Sequence, residues 1–354
     1  MKRYKYQLFL ILVLLINIQF KLHSQLNVVK YDGKLGIEND KGELILEYKY
    51  DVLYNYEKFD FFKGKINDRS FLIDQQGNEY PLVNDINDIN TNTLAVDIKN
   101  CQNLEDLFNA NQIQILFVRS NHIDSVFEKI NLLQNLIYVD FSNNEIDNFP
   151  TELFNLHNLK YIDLTKNQIK KVPTELYSMK NLCGLSLHEN LITEISTEIK
   201  NLINLQYLFL TDNKLTIIPQ ELWLLKEIEI LTISGGFRQI PEEISNLRKL
   251  RKVMLTNNNF PEISFEYFKN LNELKFIQLD KNNIKRINPD IGELKQIKYL
   301  NLCMNDLKKL PKEISKLKGL KGLYIFGNKF NFFQRRKIQK LLPNADIRFR
   351  LLMK

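Results

Sequence analysis

The chain has 354 residues, 44% hydrophobic and 26% charged, a balance that suits a folded globular protein and excludes a disordered or collagen-like one. Its net charge of +7 overstates its basic character, because Lys2, Arg3, Lys5 and Lys21 are the only charged residues before Gln25 and leave 45 basic against 42 acidic residues in the rest. That near-balance excludes a global nucleic-acid-binding charge, and the odd set Cys101, Cys183 and Cys303 excludes a disulfide framework, so stability must come from packing.

Met1 to Gln25 opens with those cations, continues with the apolar run Leu8 to Ile16 and ends on His23-Ser24-Gln25, the layout of a signal peptide over residues 1–24. The run is shorter than the roughly 20 residues that span a bilayer, so cleavage near Ser24 is expected, with an uncleaved N-terminal anchor as the alternative. The first cysteine is Cys101, far beyond the run, so a lipoprotein anchor is not indicated. Export to the periplasm, the cell surface or the medium is the expectation.

Residues 25–88 alternate apolar and polar side chains between the turn sequences Asp40-Lys41-Gly42 and Gln75-Gln76-Gly77-Asn78, which predicts a small β-hairpin domain. The stretches Gly33 to Glu43 and Ser70 to Glu79 resemble WG repeats, small β modules of bacterial envelope proteins, with Leu35 and Phe71 where that family carries tryptophan.

From residue 113 to 330 the pattern Leu-x-x-Leu-x-Leu-x-x-Asn-x-Leu, with other apolar residues allowed for Leu, recurs ten times. It starts at Ile113, Leu136, Leu159, Leu182, Leu205, Ile228, Leu250, Leu274, Ile297 and Leu320, at intervals of 22 to 24 residues. Apolar positions such as Leu159, Ile162, Leu164 and Ile169 point into a core that only stacked neighbours close. The Asn column, from Asn121 to Asn328, falls where the chain leaves each strand, and a buried amide there satisfies backbone groups without ladder partners. Return segments such as Val172 to Met179 place Pro at the mouth of a short helical turn. The repeat at Ile228 departs from the pattern, with Gly235-Gly236-Phe237, no Asn and one residue fewer.

The ten registers resemble the bacterial leucine-rich-repeat family of about 23 residues per repeat. The resemblance implies an α/β solenoid, a horseshoe with a parallel concave sheet, preceded here by the β-hairpin domain. Residues 89–112 read as a degenerate N-terminal cap repeat with Leu104, Leu107 and Phe108 behind a strand. Residues 331–354 read as a C-terminal cap in which Phe332, Phe333, Ile338, Leu341 and Leu342 form the apolar side of a helix that Pro343 stops.

Ser186, His188 and Asp163 share the strand face and are the residue types of a catalytic relay. Ser186 and His188 lie about 6.5 Å apart along a strand, beyond hydrogen-bond reach, so no catalytic residue is assigned. Asp140 to Asn144 spaces its polar groups as a calcium loop does, without that loop's glycine and terminal glutamate, and no metal or cofactor is expected. The expected ligand surface is the concave face, through Tyr138, Asp140, Tyr161, Asp163, His188, Tyr207, Phe209, Phe276, Tyr299 and Tyr324, where aromatic rings stand among hydrogen-bonding groups. Gly184, between Tyr161 and Tyr207, is expected to leave a gap for a ligand group. The implied function is recognition or adhesion toward a protein partner, with a carbohydrate or cell-wall polymer as the alternative and no specific nucleic acid. Residues 295–354 hold 16 basic and 3 acidic residues, so this end, with Arg335-Arg336-Lys337, is expected to attract an anionic surface.

Overall fold

A computed structural model describes residues 26–350 apart from 40, 57, 58, 60, 99–103 and 120–122. The leader over 1–24, Cys101, Asn121 and His122 lie outside the described residues. Among those described, no helix is long and apolar enough to cross a membrane. The chain divides into two compact units, Met1–Asp140 and Phe141–Lys354.

In the first unit, β1 (Leu26–Tyr31), β2 (Lys34–Asn39) and β3 (Leu44–Tyr50) form an antiparallel sheet. Asp32 and Gly33 join the first two with φ of 45° and 80°, the doubly left-handed turn that matches strand twist. A second run of antiparallel neighbours comprises β4 (Val52–Tyr56), β5 (Phe61–Ile66), β6 (Arg69–Ile73) and β7 (Glu79–Val83). Its last turn is closed by the Asp74 carboxylate, which accepts from the Gln76 and Asn78 amides at 2.9 Å each. Ile37, Leu46, Tyr50, Leu53, Phe62 and Ile73 form the core beneath these hairpins. Gly64 is required there, because a Cβ would lie 2.4 Å from the Tyr50 ring.

The first unit also holds β8 (Ala95–Ile98), α1 (Glu105–Asn109) with Leu107 and Phe108 buried, β9 (Ile115–Val118), α2 (Asp124–Phe127) and β10 (Tyr138–Asp140). Strand β7 pairs in parallel with β8, Leu82 opposite Ala95, and the sheet continues in parallel to β9 and β10. The last hairpin strand thus templates the first repeat strand, so the hairpins and the opening repeats form one unit.

The second unit is a regular parallel sheet: β11 (Tyr161–Asp163), β12 (Gly184–Ser186), β13 (Tyr207–Leu210), β14 (Ile230–Ile233) and β15 (Lys252–Met254). The two-residue β16 (Glu262–Ile263) and β18 (Arg286–Ile287) pair separately. The main sheet resumes with β17 (Phe276–Gln278), β19 (Tyr299–Asn301), β20 (Gly322–Tyr324) and β21 (Asp346–Arg348). Return segments such as Thr174–Ser178 and Lys312–Lys316 are 3-10 turns, each entered through a proline, Pro173 or Pro311. The tighter turn rises about 2.0 Å per residue, so five residues span a return for which an α-helix needs more.

The Asn column is a ladder of backbone staples. Asn190 Nδ2 donates to the Leu187 carbonyl at 3.1 Å and to the Leu164 carbonyl of the preceding repeat at 2.8 Å, while Oδ1 accepts from the Ile169 amide at 3.0 Å. Asn167, Asn213, Asn305 and Asn328 repeat this three-way contact. The irregular repeat makes do without its Asn. Ser234 Oγ accepts from the Asp212 amide at 2.7 Å, and Asn258 Oδ1 takes the Gly235 and Phe237 amides at 3.0 and 3.2 Å. A Cβ on Gly235 would stand 2.2 Å from the Leu215 carbonyl oxygen, so close backbone approach replaces the missing side chain. Strands β13, β14 and β15 remain in register across it.

The C-terminal cap contains α3 (Phe332–Leu341), whose first turn is capped by Asn331 accepting from the Gln334 amide at 2.9 Å. Ile338 and Leu342 are buried as expected, but Phe332 and Phe333 are 62% and 77% exposed. The reason is helical phase. Gln334, Ile338, Leu341 and Leu342 follow one stripe at spacings of four, three and one, and both phenylalanines fall more than 100° away from it.

Candidate recognition surface

Alternate strand residues of the second unit stand on one face in register. Tyr161, Gly184 and Tyr207 form one row, and Asp163, Ser186 and Phe209 the next. Two strand spacings would separate the tyrosine rings by about 9.6 Å. Their centroids are instead 6.5 Å apart, with planes inclined at 50°. The rings lean together over Gly184, so the gap expected there is closed. Gly322 is also covered, by a ring of the neighbouring strand and one of its own: a Cβ there would lie 2.8 Å from both Tyr299 Cδ1 and the Tyr324 hydroxyl.

The ten expected ligand residues separate by accessibility. Tyr138 is fully buried, with the rings of Phe59, Phe61 and Phe117 at 5.6, 5.6 and 5.4 Å. It is a packing residue of the first unit and presents no surface to a partner, which corrects its place at the centre of the expected site. Asp140 is also buried, 3.7 Å from Arg119 Nε, and the same guanidinium reaches Asp97 at 3.0 Å. Asp163 is buried and accepts from the Thr165 amide at 2.9 Å. Tyr207 is the buried member of the tilted pair, and Phe276 and Tyr324 are buried too, Phe276 beneath Lys252 Nζ at 5.1 Å and Tyr324 beneath Arg348 at 5.4 Å. Solvent reaches Tyr161, His188, Phe209 and Tyr299, all half-buried.

The polar groups among them are already committed. Ser186 and Thr165 share a hydrogen bond of 2.8 Å, and Thr211 donates to Thr232 at 2.6 Å. His188 sets Nδ1 2.9 Å from the Thr211 carbonyl and Nε2 3.0 Å from Glu189, which also meets Lys166 at 3.7 Å. The hydrogen bond from His188 holds the Glu189 carboxyl below the usual range. Both imidazole nitrogens thus face away from Ser186, and Ser186, His188 and Asp163 do not assemble into a relay. Among the described residues no three His, Cys, Asp or Glu side chains cluster as a metal site. Burial pushes the Cys303 thiol well above its ordinary range, which disfavours the thiolate.

Sequence reasoning missed an apolar cavity of about 330 Å³ beside the irregular repeat, lined by Trp223, Phe237, Ile240, Ile244, Leu255 and Phe260. The only signal was the Gly235-Gly236-Phe237 departure itself.

Comparison with known proteins bears on the fold. Leucine-rich-repeat models match residues 111–169 and 248–293, and a second one matches 204–225. An internalin from Listeria monocytogenes aligns with a TM-score of 0.58 at 21% identity over 73% of this chain and 72% of its own. The leucine-rich-repeat ectodomain of a plant membrane receptor kinase from Arabidopsis thaliana, solved in complex with Casparian Strip Integrity Factor 2, aligns with a TM-score of 0.52 at 26% identity. That match covers 68% of this chain and 36% of the ectodomain. A chain of an octameric complex of Latrophilin 3, Unc5D and FLRT2 aligns with a TM-score of 0.53 at 20% identity, over 67% of this chain and 84% of its own. No curated protein matches the sequence.

Proposed function

From a leucine-rich-repeat solenoid as premise, we propose that this protein is an exported recognition module that binds a protein partner through the strand face around Tyr161, His188, Phe209 and Tyr299. The observation that carries the reading is the half-buried state of these side chains on a rigid, in-register sheet. Each keeps one accessible edge while its neighbours fix its rotamer, so little conformational freedom is lost on binding. Two of the solved neighbours are themselves held in protein complexes, which supports a protein over a glycan.

The test is site-specific photo-crosslinking. A crosslinker at residue 209 should capture a discrete protein in the native host's envelope or surroundings, and one at Glu175 on the return side should not. Equal capture from both positions would sink the assignment of the face. Export rests on the basic-then-apolar leader, and N-terminal sequencing of the protein from its own host decides it: an intact Met1 in a cytoplasmic fraction would overturn it. The basic end, Lys295 to Lys354, adds salt-sensitive attraction to an anionic surface.

A further inference from the structure

We propose that the outward face of α3 docks on an anionic lipid bilayer, with Phe332 and Phe333 entering the interface and Arg336, Lys337 and Lys340 meeting the headgroups; this rests on the anionic-surface reading of the basic end and names its partner. Apolar side chains exposed at 62% and 77% in adjacent positions are costly to keep in water, and among the described residues their ring contacts are with each other and with Arg336. The buried stripe is completed by Ile338 and Leu342. Around the helix, Phe332, Phe333, Arg336, Lys337 and Lys340 are all exposed except for Phe332's contact with Arg336, and they share the side opposite Ile338. The helix carries no acidic residue, and among the described residues Arg336, Lys337 and Lys340 make no ion pair.

Two aromatic rings beside three cations on one helical face match what an anionic interface rewards, apolar area below and basic groups at headgroup level. The arrangement disfavours other occupants. The Arg336 guanidinium lies over the Phe332 ring at 4.9 Å, and the two phenylalanine rings meet edge to face at 76°, so they do not form a paired platform on which successive nucleic-acid bases would stack. A second copy of the chain would bring three like charges against three. A bilayer accommodates the Arg336–Phe332 stack, because the stem packs along the ring while the head reaches the phosphates.

The test uses the protein expressed and purified from its own host, with phosphatidylcholine vesicles made with and without phosphatidylglycerol. Sedimentation should show binding to the anionic vesicles that weakens with salt. Phe332→Ser with Phe333→Ser should weaken it about tenfold or more at unchanged Tm, since both rings leave exposed positions. Arg336→Glu, Lys337→Glu and Lys340→Glu together should abolish the preference for anionic lipid. Trp223 is the sole tryptophan and is buried, so Phe333→Trp adds a reporter whose emission should shift to the blue on anionic vesicles. Salt-sensitive binding that the double serine variant leaves unchanged, with no blue shift, would overturn docking by the rings while sparing the anionic-surface reading. Absence of any binding to anionic vesicles would overturn both, and binding to single-stranded nucleic acid in place of vesicles would overturn the lipid assignment.

Discussion

A buried asparagine in this chain closes three backbone contacts at once, which makes each one a large single-residue contributor. Asn190→Ala leaves the Ile169 amide without its side-chain partner and removes one of two amide donors from each of the Leu164 and Leu187 carbonyls, which Asn167 and Asn213 also serve. Stability measured by denaturant unfolding should fall by about 1–3 kcal/mol, the cost of one unsatisfied buried amide. This role was legible in the sequence, because an amide recurring at a strand exit has one economical use. Asp280 was not legible. Burial raises its carboxyl above the usual range, although the Thr256 hydroxyl donates to it at 2.8 Å. The native state therefore holds this proton more tightly than the unfolded chain, so stability is greatest below the unfolded value and declines as pH rises through the native one. Asp280→Asn should raise Tm near neutral pH, with the gain vanishing toward pH ~3. A gain that persists in acid would contradict the burial argument.

At the scale of elements, spacing predicted the repeat strands and the solenoid, because a 23-residue period admits one strand and one return. Phase was what spacing alone left unread. Phe332 and Phe333 look like core when apolar residues are counted, and become surface once the stripe through Gln334, Ile338 and Leu342 is fixed. The irregular repeat shows a second limit, since the missing asparagine does not say what replaces it, and the strands stay in register with close backbone approach at Gly235. Gly235→Ala forces a Cβ to within 2.2 Å of the Leu215 oxygen, and the chain must shift there. The expected cost is about 1–3 kcal/mol by thermal or chemical unfolding, the range for overpacking. Gly236 has open space around it, so its replacement costs only through its φ of 76°.

For the molecule as a whole, the strand face was readable as a list of side chains and unreadable as a surface. Tyr138 looks like its neighbours in sequence, yet Phe59 and Phe61, supplied by a distant hairpin, cover it. No repeat pattern carries that information, because the covering rings lie outside the repeats. Two substitutions separate scaffold from surface. Tyr138→Ala removes a fully buried ring from a four-ring cluster and should lower stability by about 3–5 kcal/mol, while the fraction that stays folded binds its partner with unchanged affinity. Phe209→Ala trims a half-buried ring that solvent reaches. Its Tm should move little, and its affinity should fall about thirtyfold, equivalent to about 2 kcal/mol. Measuring melting and affinity on the same preparations gives the comparison its force, because a misfolded fraction lowers apparent affinity in proportion to its population. Were Phe209→Ala to melt early and bind normally, its ring would join Tyr138 as scaffold, and the recognition surface would have to be sought away from the strand face.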